Sequence, residues 1–150
     1  MASWAKCYSC LEKNRGGKIE LSKKESSIND YKFFCFNGKV KVFKVDMDRF
    51  ENHQANYYDR EGNLLPFGEA NFPYGKQNVV LPKNLSEMLQ IADRLSSAFT
   101  FVRVDLYSVG KRIYFSELKF YPASGLERFT QNKYDKVLGQ MMTLPSQKSK

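Results

Sequence analysis

Two acidic residues, Asp105 and Glu117, stand in the two halves of a predicted β-hairpin whose other residues are largely apolar. A carboxylate buried in a sheet is costly unless it is paired or bound to a cation. Two hard oxygen ligands on adjacent strands suit magnesium held between a protein and the phosphates of a nucleotide. The pair therefore predicts a magnesium site. The alternative is two solvated strand carboxylates, paired with Arg103 and Lys119.

The register of this hairpin decides whether the two carboxylates meet. A two-residue loop at Gly110-Lys111 places Asp105 opposite Ser116, whereas a three-residue loop with a bulge at Gly110 places it opposite Glu117. The magnesium interpretation requires the second register, or a local bulge with the same effect. Because two close carboxylates repel each other, at least one of them should then have a raised pKa.

The elements that position this hairpin are read from the alternation of apolar residues. Asn37-Gly38 separates two such runs, which is a strong hairpin signal because both turn residues must accept positive φ. The predicted strands are 30–36, 39–46, one near 55–59, 101–107 and 112–120, with a short helix near 131–140. The pattern predicts an α+β fold, mainly an antiparallel sheet with a packed helix.

A helix from 85 to about 97 supplies the packed layer. Asn84 with Glu87 three residues later resembles a capping box, and apolar residues follow at helical spacing. Leu89 and Leu95 are expected to face the sheet.

Composition restricts the class of protein. The chain has 150 residues and a net charge of +8, from 24 basic and 16 acidic residues, which favours anionic partners without choosing between nucleotide, nucleic acid, acidic polymer or anionic lipid. No apolar run approaches the roughly 20 residues that span a bilayer. The N-terminus lacks the apolar core of a signal peptide, so a cytoplasmic location is expected.

The cysteines give a weaker signal. Cys7 and Cys10 form a lone C-x-x-C, but a closed zinc site needs four ligands, and the other candidates, Cys35 and His53, fall in separate predicted elements. Chance occurrence is the preferred interpretation. Cys35 alternates with aromatic residues and is expected to be a buried small hydrophobe.

Several runs of the sequence resemble the TupA-like ATP-grasp family, in one order over roughly residues 29–145. They are DYKFFCFNGK from Asp30, VDMDRF from Val45, FVRVDLY from Phe101 and ELKFYPASG from Glu117. The resemblance implies an ATP-grasp C-terminal subdomain that uses ATP and Mg²⁺ to activate a carboxylate as an acyl phosphate, which an amine or similar nucleophile attacks. It also implies a role in cell-surface polysaccharide biosynthesis, where family members are often labelled glycosyltransferases.

The resemblance carries roles over to particular residues. Asp105 and Glu117 match the acidic metal-binding pair. Lys32 and Arg49 match basic positions that face phosphate or acyl phosphate, and Asn52 resembles a polar position near the same site. The expected partners are a nucleotide and an acidic or saccharide acceptor.

Two positions depart from the family pattern. Lys119 stands where the family has Asn or a small polar residue, and a charged lysine cannot ligate a metal. Because Lys119 lies two residues from Glu117, on the same strand face, it is expected to stand in for the cation and to weaken magnesium binding. Ala123 stands where the pattern has Gly.

The length predicts a truncated ATP-grasp protein. Residues 1–28 are expected to be a poorly patterned arm, 29–145 the ATP-grasp-like domain and 146–150 a frayed tail. Alone, the chain is expected not to consume ATP above background, and a separate chain supplying the missing half is a possible partner. The alternative function is a non-catalytic anion- or nucleic-acid-binding module, with nucleic acid the less favoured ligand.

Overall fold

The computed structural model describes residues 29–47, 53–71 and 79–144. In that part of the chain, five strands form one antiparallel sheet in the order β3-β2-β1-β4-β5. The elements are β1 (Asp30–Phe36), β2 (Lys39–Met47), β3 (Gln54–Asp59), helix α1 (Leu85–Ser96), β4 (Phe101–Val109), β5 (Arg112–Lys119), a turn at Pro122–Gly125 and helix α2 (Lys133–Gly139). The predicted α+β fold is confirmed.

The first hairpin forms as its sequence predicts. β1 is the central strand, and all seven of its residues are buried. Asn37 and Gly38 both have positive φ, 50° and 75°. Gly38 is also a point of close approach, because a Cβ there would lie 3.1 Å from the Cα of Ser97 at the end of α1.

Helix α1 packs on one face of the sheet. Met88, Leu89, Ile91 and Ala92 are buried in a core with apolar residues of β1, β2, β4 and β5, and Leu95 packs against its edge. The predicted orientation of Leu89 and Leu95 is therefore confirmed.

The start of α1 is as predicted, but its capping is not. Asn84 makes no side-chain cap hydrogen bond; its Oδ1 instead accepts from Ser108 Oγ at 2.9 Å. Tertiary contact with β4 has replaced the local cap. At the other end of α1, Asp93 accepts two hydrogen bonds from Arg60, at 3.0 and 2.9 Å, and one from the backbone N–H of Val40 at 2.8 Å, which fastens the helix to β2.

The opposite face of the sheet is aromatic at one end. Tyr57 stacks on Phe67 and Phe67 on Tyr134, with Phe129 meeting the first two edge-on. Two irregular segments bring these rings together, because Ala70 N–H donates to Arg128 O and Thr130 N–H to Gly68 O, both at 2.8 Å. Segments 67–70 and 126–130 thus cover this face.

Of the three cysteines, only Cys35 lies in the described part of the chain. Cys35 is fully buried, as predicted, and burial raises the pKa of its thiol to about 12. Cys7 and Cys10 lie outside the described residues, as do residues 1–28 and 146–150. Among the residues that are described, none of the helices is long and apolar enough to cross a membrane.

Candidate functional site

The charged end of the face opposite α1 is the candidate site, and we call it the polar face. Strand register assembles it: Lys32 of β1 pairs with Lys44 of β2 on one side and with Asp105 of β4 on the other. Because side chains alternate along a strand, every second residue from Lys32 joins the same face. The residues lining it are Asp30, Lys32, Lys44, Asp46, Arg103, Asp105, Glu117 and Lys119 from the strands, and Glu69 and Glu127 from the covering segments.

Lys32 lies at the centre of the polar face. Its buried ammonium group donates to the carboxylates of Asp30 and Asp46. Burial raises the pKa of Asp46, but Lys44 and Lys32 outweigh burial, and the pKa ends below its usual range. His53 Nε2 lies 3.2 Å from Asp46 Oδ1 and extends the network toward the edge strand.

Arg103 and Asp105 form a buried bidentate ion pair. Arg103 Nε donates to Asp105 Oδ1 at 2.8 Å and Nη2 to Oδ2 at 2.7 Å. Burial raises the pKa of Asp105 more than the guanidinium lowers it. The pair also raises the pKa of Arg103 despite its burial.

A β-bulge places Glu117 opposite Asp105. The turn is the two-residue form at Gly110-Lys111, since Val109 pairs with Arg112, but the register shifts between Asp105 and Leu106. Ser116 is the extra residue, so the carboxylates of Asp105 and Glu117 share the polar face. The bulge at Gly110 that one predicted register required is therefore wrong, and a bulge further along has the same effect.

The Glu117 side of the polar face is open. The side chains of Glu117 and Lys119 are 48% and 39% exposed, and Lys119 Nζ lies 3.0 Å from Glu117 Oε1. The hydrogen bond from Lys119 lowers the pKa of Glu117. Arg103 Nη2 lies 3.9 Å from the same oxygen. The expected raised pKa thus falls on Asp105, and its main cause is burial rather than repulsion by Glu117.

A second buried cluster was not predicted. Lys44 and Tyr57 both donate to Glu69 Oε1, the tyrosine at 2.7 Å, and Glu127 Oε1 lies 3.9 Å from Lys44 Nζ. Lys44 alternates with apolar residues along β2 just as Lys32 does along β1, and that signal could have found it. Glu69 and Glu127 lie in irregular segments whose sequence carries no comparable signal.

The structure brings together four of the six predicted site residues. Lys32, Asp105, Glu117 and Lys119 share the polar face, whereas Arg49 and Asn52 lie outside the described residues. The functional roles of all six residues stay predictions.

The polar face offers carboxylate oxygens, the ligand type that magnesium prefers, but its own basic side chains compete for them. Six acidic and four basic side chains line the polar face among the described residues, so the face has an excess of carboxyl groups although the whole chain is basic. Both oxygens of Asp105 already accept from Arg103, and no group of three or more His, Cys, Asp or Glu arranged for a metal occurs among the described residues. Glu117 is therefore the accessible ligand, and Asp105 could join it only by leaving Arg103.

Comparison with known protein families assigns the chain to one of them. Residues 13–143 match the TupA-like ATPgrasp family, and the chain belongs to this family. No curated protein and no solved structure matches the chain.

Proposed function

We propose that the polar face binds the phosphates of ATP together with Mg²⁺, in an ATP-grasp protein of cell-surface polysaccharide biosynthesis. The observation that supports this most directly is the bulge in β5, which sets Asp105 opposite Glu117 on the face that also holds Lys32. A bulge that aims side chains in this way is a common device next to active sites.

Each residue would have a distinct role. Glu117, at the open side, would hold Mg²⁺, with Asp105 as second ligand once Arg103 turns away. Mg²⁺, when bound, neutralises phosphate charge, which supplies much of the catalysis in phosphoryl transfer. Lys32, Arg49 and Asn52 would face the phosphates, as the resemblance implies.

The proposed reaction rests on the family resemblance rather than on the geometry of the polar face. A carboxylate would attack the terminal phosphorus of ATP to give an acyl phosphate and ADP, and an amine or similar nucleophile of an acidic or saccharide acceptor would then attack the acyl carbon and release inorganic phosphate. The proposed location is the cytoplasm.

A second candidate is a non-catalytic anion-binding module. It is favoured by Arg103 and Lys119, which hold the two carboxylates that a metal would need. Nucleic acid is a poor candidate ligand, because Tyr31, Phe33 and Phe43 are buried in the core under α1 and cannot stack on bases.

The test is protection against heating. ATP with Mg²⁺ at a hundred times its dissociation constant should stabilise the chain by about 2.7 kcal/mol, and Glu117→Gln should remove the Mg²⁺-dependent part. Glu61→Gln, an exposed acid in the loop after β3, is the control and should behave as the parent.

The outcomes separate the candidates. Protection by ATP that is equal with and without Mg²⁺ would favour the anion-binding module. Salt-sensitive protection by an oligonucleotide, with none by ATP, would reject both candidates.

A further inference from the structure

Glu69 and Glu127 meet where the two covering segments join. Glu69 lies in segment 67–70 and Glu127 in segment 126–130, and the backbone pairing of Glu69 with Phe129 holds the segments side by side. The carboxyl groups of the two acids lie close enough to share a hydrogen bond, and both lie beside Lys44 Nζ, to which Glu127 Oε1 approaches within 3.9 Å. They sit on the buried side of these segments, 2% and 19% exposed.

A hydrogen bond between two carboxyl groups requires a proton, because a carboxylate can only accept. Oε1 of Glu69 already accepts from Lys44 and Tyr57, which favours the ionised form of Glu69. When the two carboxyl groups share a proton, Glu127 is therefore the donor and Glu69 the acceptor.

The charges around Glu127 do not fully compensate a second negative charge. The groups that face it are Glu69 from its partner segment, Lys44 from β2, Tyr57 from β3 and Arg103 from β4. Of the two cations, Lys44 already forms an ion pair with Glu69, and Arg103 already forms one with Asp105. Burial, and next its hydrogen bond to Glu69, raise the pKa of Glu127 to about 7 from an ordinary 4.5.

We propose that Glu127 and Glu69 form a proton-dependent latch, which holds the two covering segments together over the polar face and weakens when the shared proton is lost. Ionised Glu127 is repelled by Glu69 and better solvated in water, so it turns outward and uncovers Lys44 and Arg103. Tyr121 and Leu126, which precede Glu127 in the chain, are 81% and 80% exposed, so an outward turn of Glu127 leads toward solvent. The latch does not depend on the proposed binding of ATP.

The experiment follows amide hydrogen exchange by NMR at Ala70 and Thr130, whose N–H groups donate across the two segments. After correction for the intrinsic pH dependence, protection in the parent should fall about tenfold between pH 6 and pH 8. Glu127→Gln, whose amide donates at every pH, should show no such fall. Glu61→Gln is the matched control and should follow the parent.

A carboxyl titration of the parent protein, read by carbon NMR, provides an independent test. The latch predicts a midpoint for Glu127 near 7. The proposal is overturned if Glu127 titrates at its ordinary value. It is also overturned if Glu127→Gln loses protection between pH 6 and pH 8 as the parent does. Should Glu127→Gln fail to fold, the titration alone decides.

Discussion

Replacing Arg103 tests how much the buried carboxylate of Asp105 depends on its ion pair with the guanidinium. In Arg103→Met, the side chain keeps its apolar stem but Asp105, 2% exposed, loses both charge-assisted hydrogen bonds. Breaking a buried pair from one side costs about 3–5 kcal/mol, because an uncompensated charge remains. Urea denaturation at pH 7.5 measures the loss in free energy of unfolding.

The loss should depend on pH with a definite sign. Burial already raises the pKa of Asp105 above its usual 3.8, and without Arg103 the pKa rises further. The ionised form is then the costly one, so the deficit of the variant is largest at pH 7.5 and shrinks as the pH falls through the folded pKa. Arg103→Met with Asp105→Asn should recover part of the stability at pH 7.5, as a double-mutant cycle. A deficit under about 1 kcal/mol at pH 7.5, or one that is equal at pH 7.5 and pH 4.5, would refute this reasoning.

Three further predictions concern other parts of the molecule. Leu89→Ala, in the core under α1, should lower the free energy of unfolding by about 2–5 kcal/mol. Exposed Gln90→Ala should change it little, and equal losses in the two variants would mean that Leu89 does not face the sheet. Gly38→Ala should destabilise the fold by at least about 1 kcal/mol more than Gly110→Ala, because both glycines have positive φ but only Gly38 has backbone within 4 Å of the added Cβ. Denaturation of both variants measures the two losses, and equal losses would contradict the prediction. Glu127→Gln should be more stable than the parent by up to about 3 kcal/mol at pH 8 and by little at pH 4.5, because a pKa of about 7 instead of 4.5 makes ionised Glu127 costly in the folded state. Denaturation at both pH values measures the difference, and a parent that gains stability from pH 5 to pH 8 would contradict the prediction.

The sheet and the main helix could be predicted because their signals are local. Asn37-Gly38 demands positive φ at both residues, and the spacing of apolar residues from Leu85 marks the buried stripe of α1. The cap of α1 could not be predicted, since Asn84 prefers a partner on β4 that lies 24 residues away in sequence.

The site was only partly predictable for the same reason. Asp105 and Glu117 stand out because charges in a strand need partners. The bulge that makes them opposite is a register shift between β4 and β5, and no residue type in these strands predicts its position. Glu127 reaches the polar face only because segment 126–130 folds back over it, which is a tertiary contact rather than a pattern.

Calorimetric titration of Mg²⁺ in the presence of ATP tests the central claim, that the polar face is a nucleotide and metal site, most directly. The parent chain should bind Mg²⁺ weakly, because Lys119 and Arg103 compete for the carboxylates. Lys119→Asn should bind it more tightly, since a neutral oxygen ligand replaces a charge beside Glu117, and Glu117→Gln should lose most of the binding. If Lys119→Asn binds no better than the parent, Lys119 does not replace the cation; if Glu117→Gln binds as well as the parent, the polar face is not the metal site.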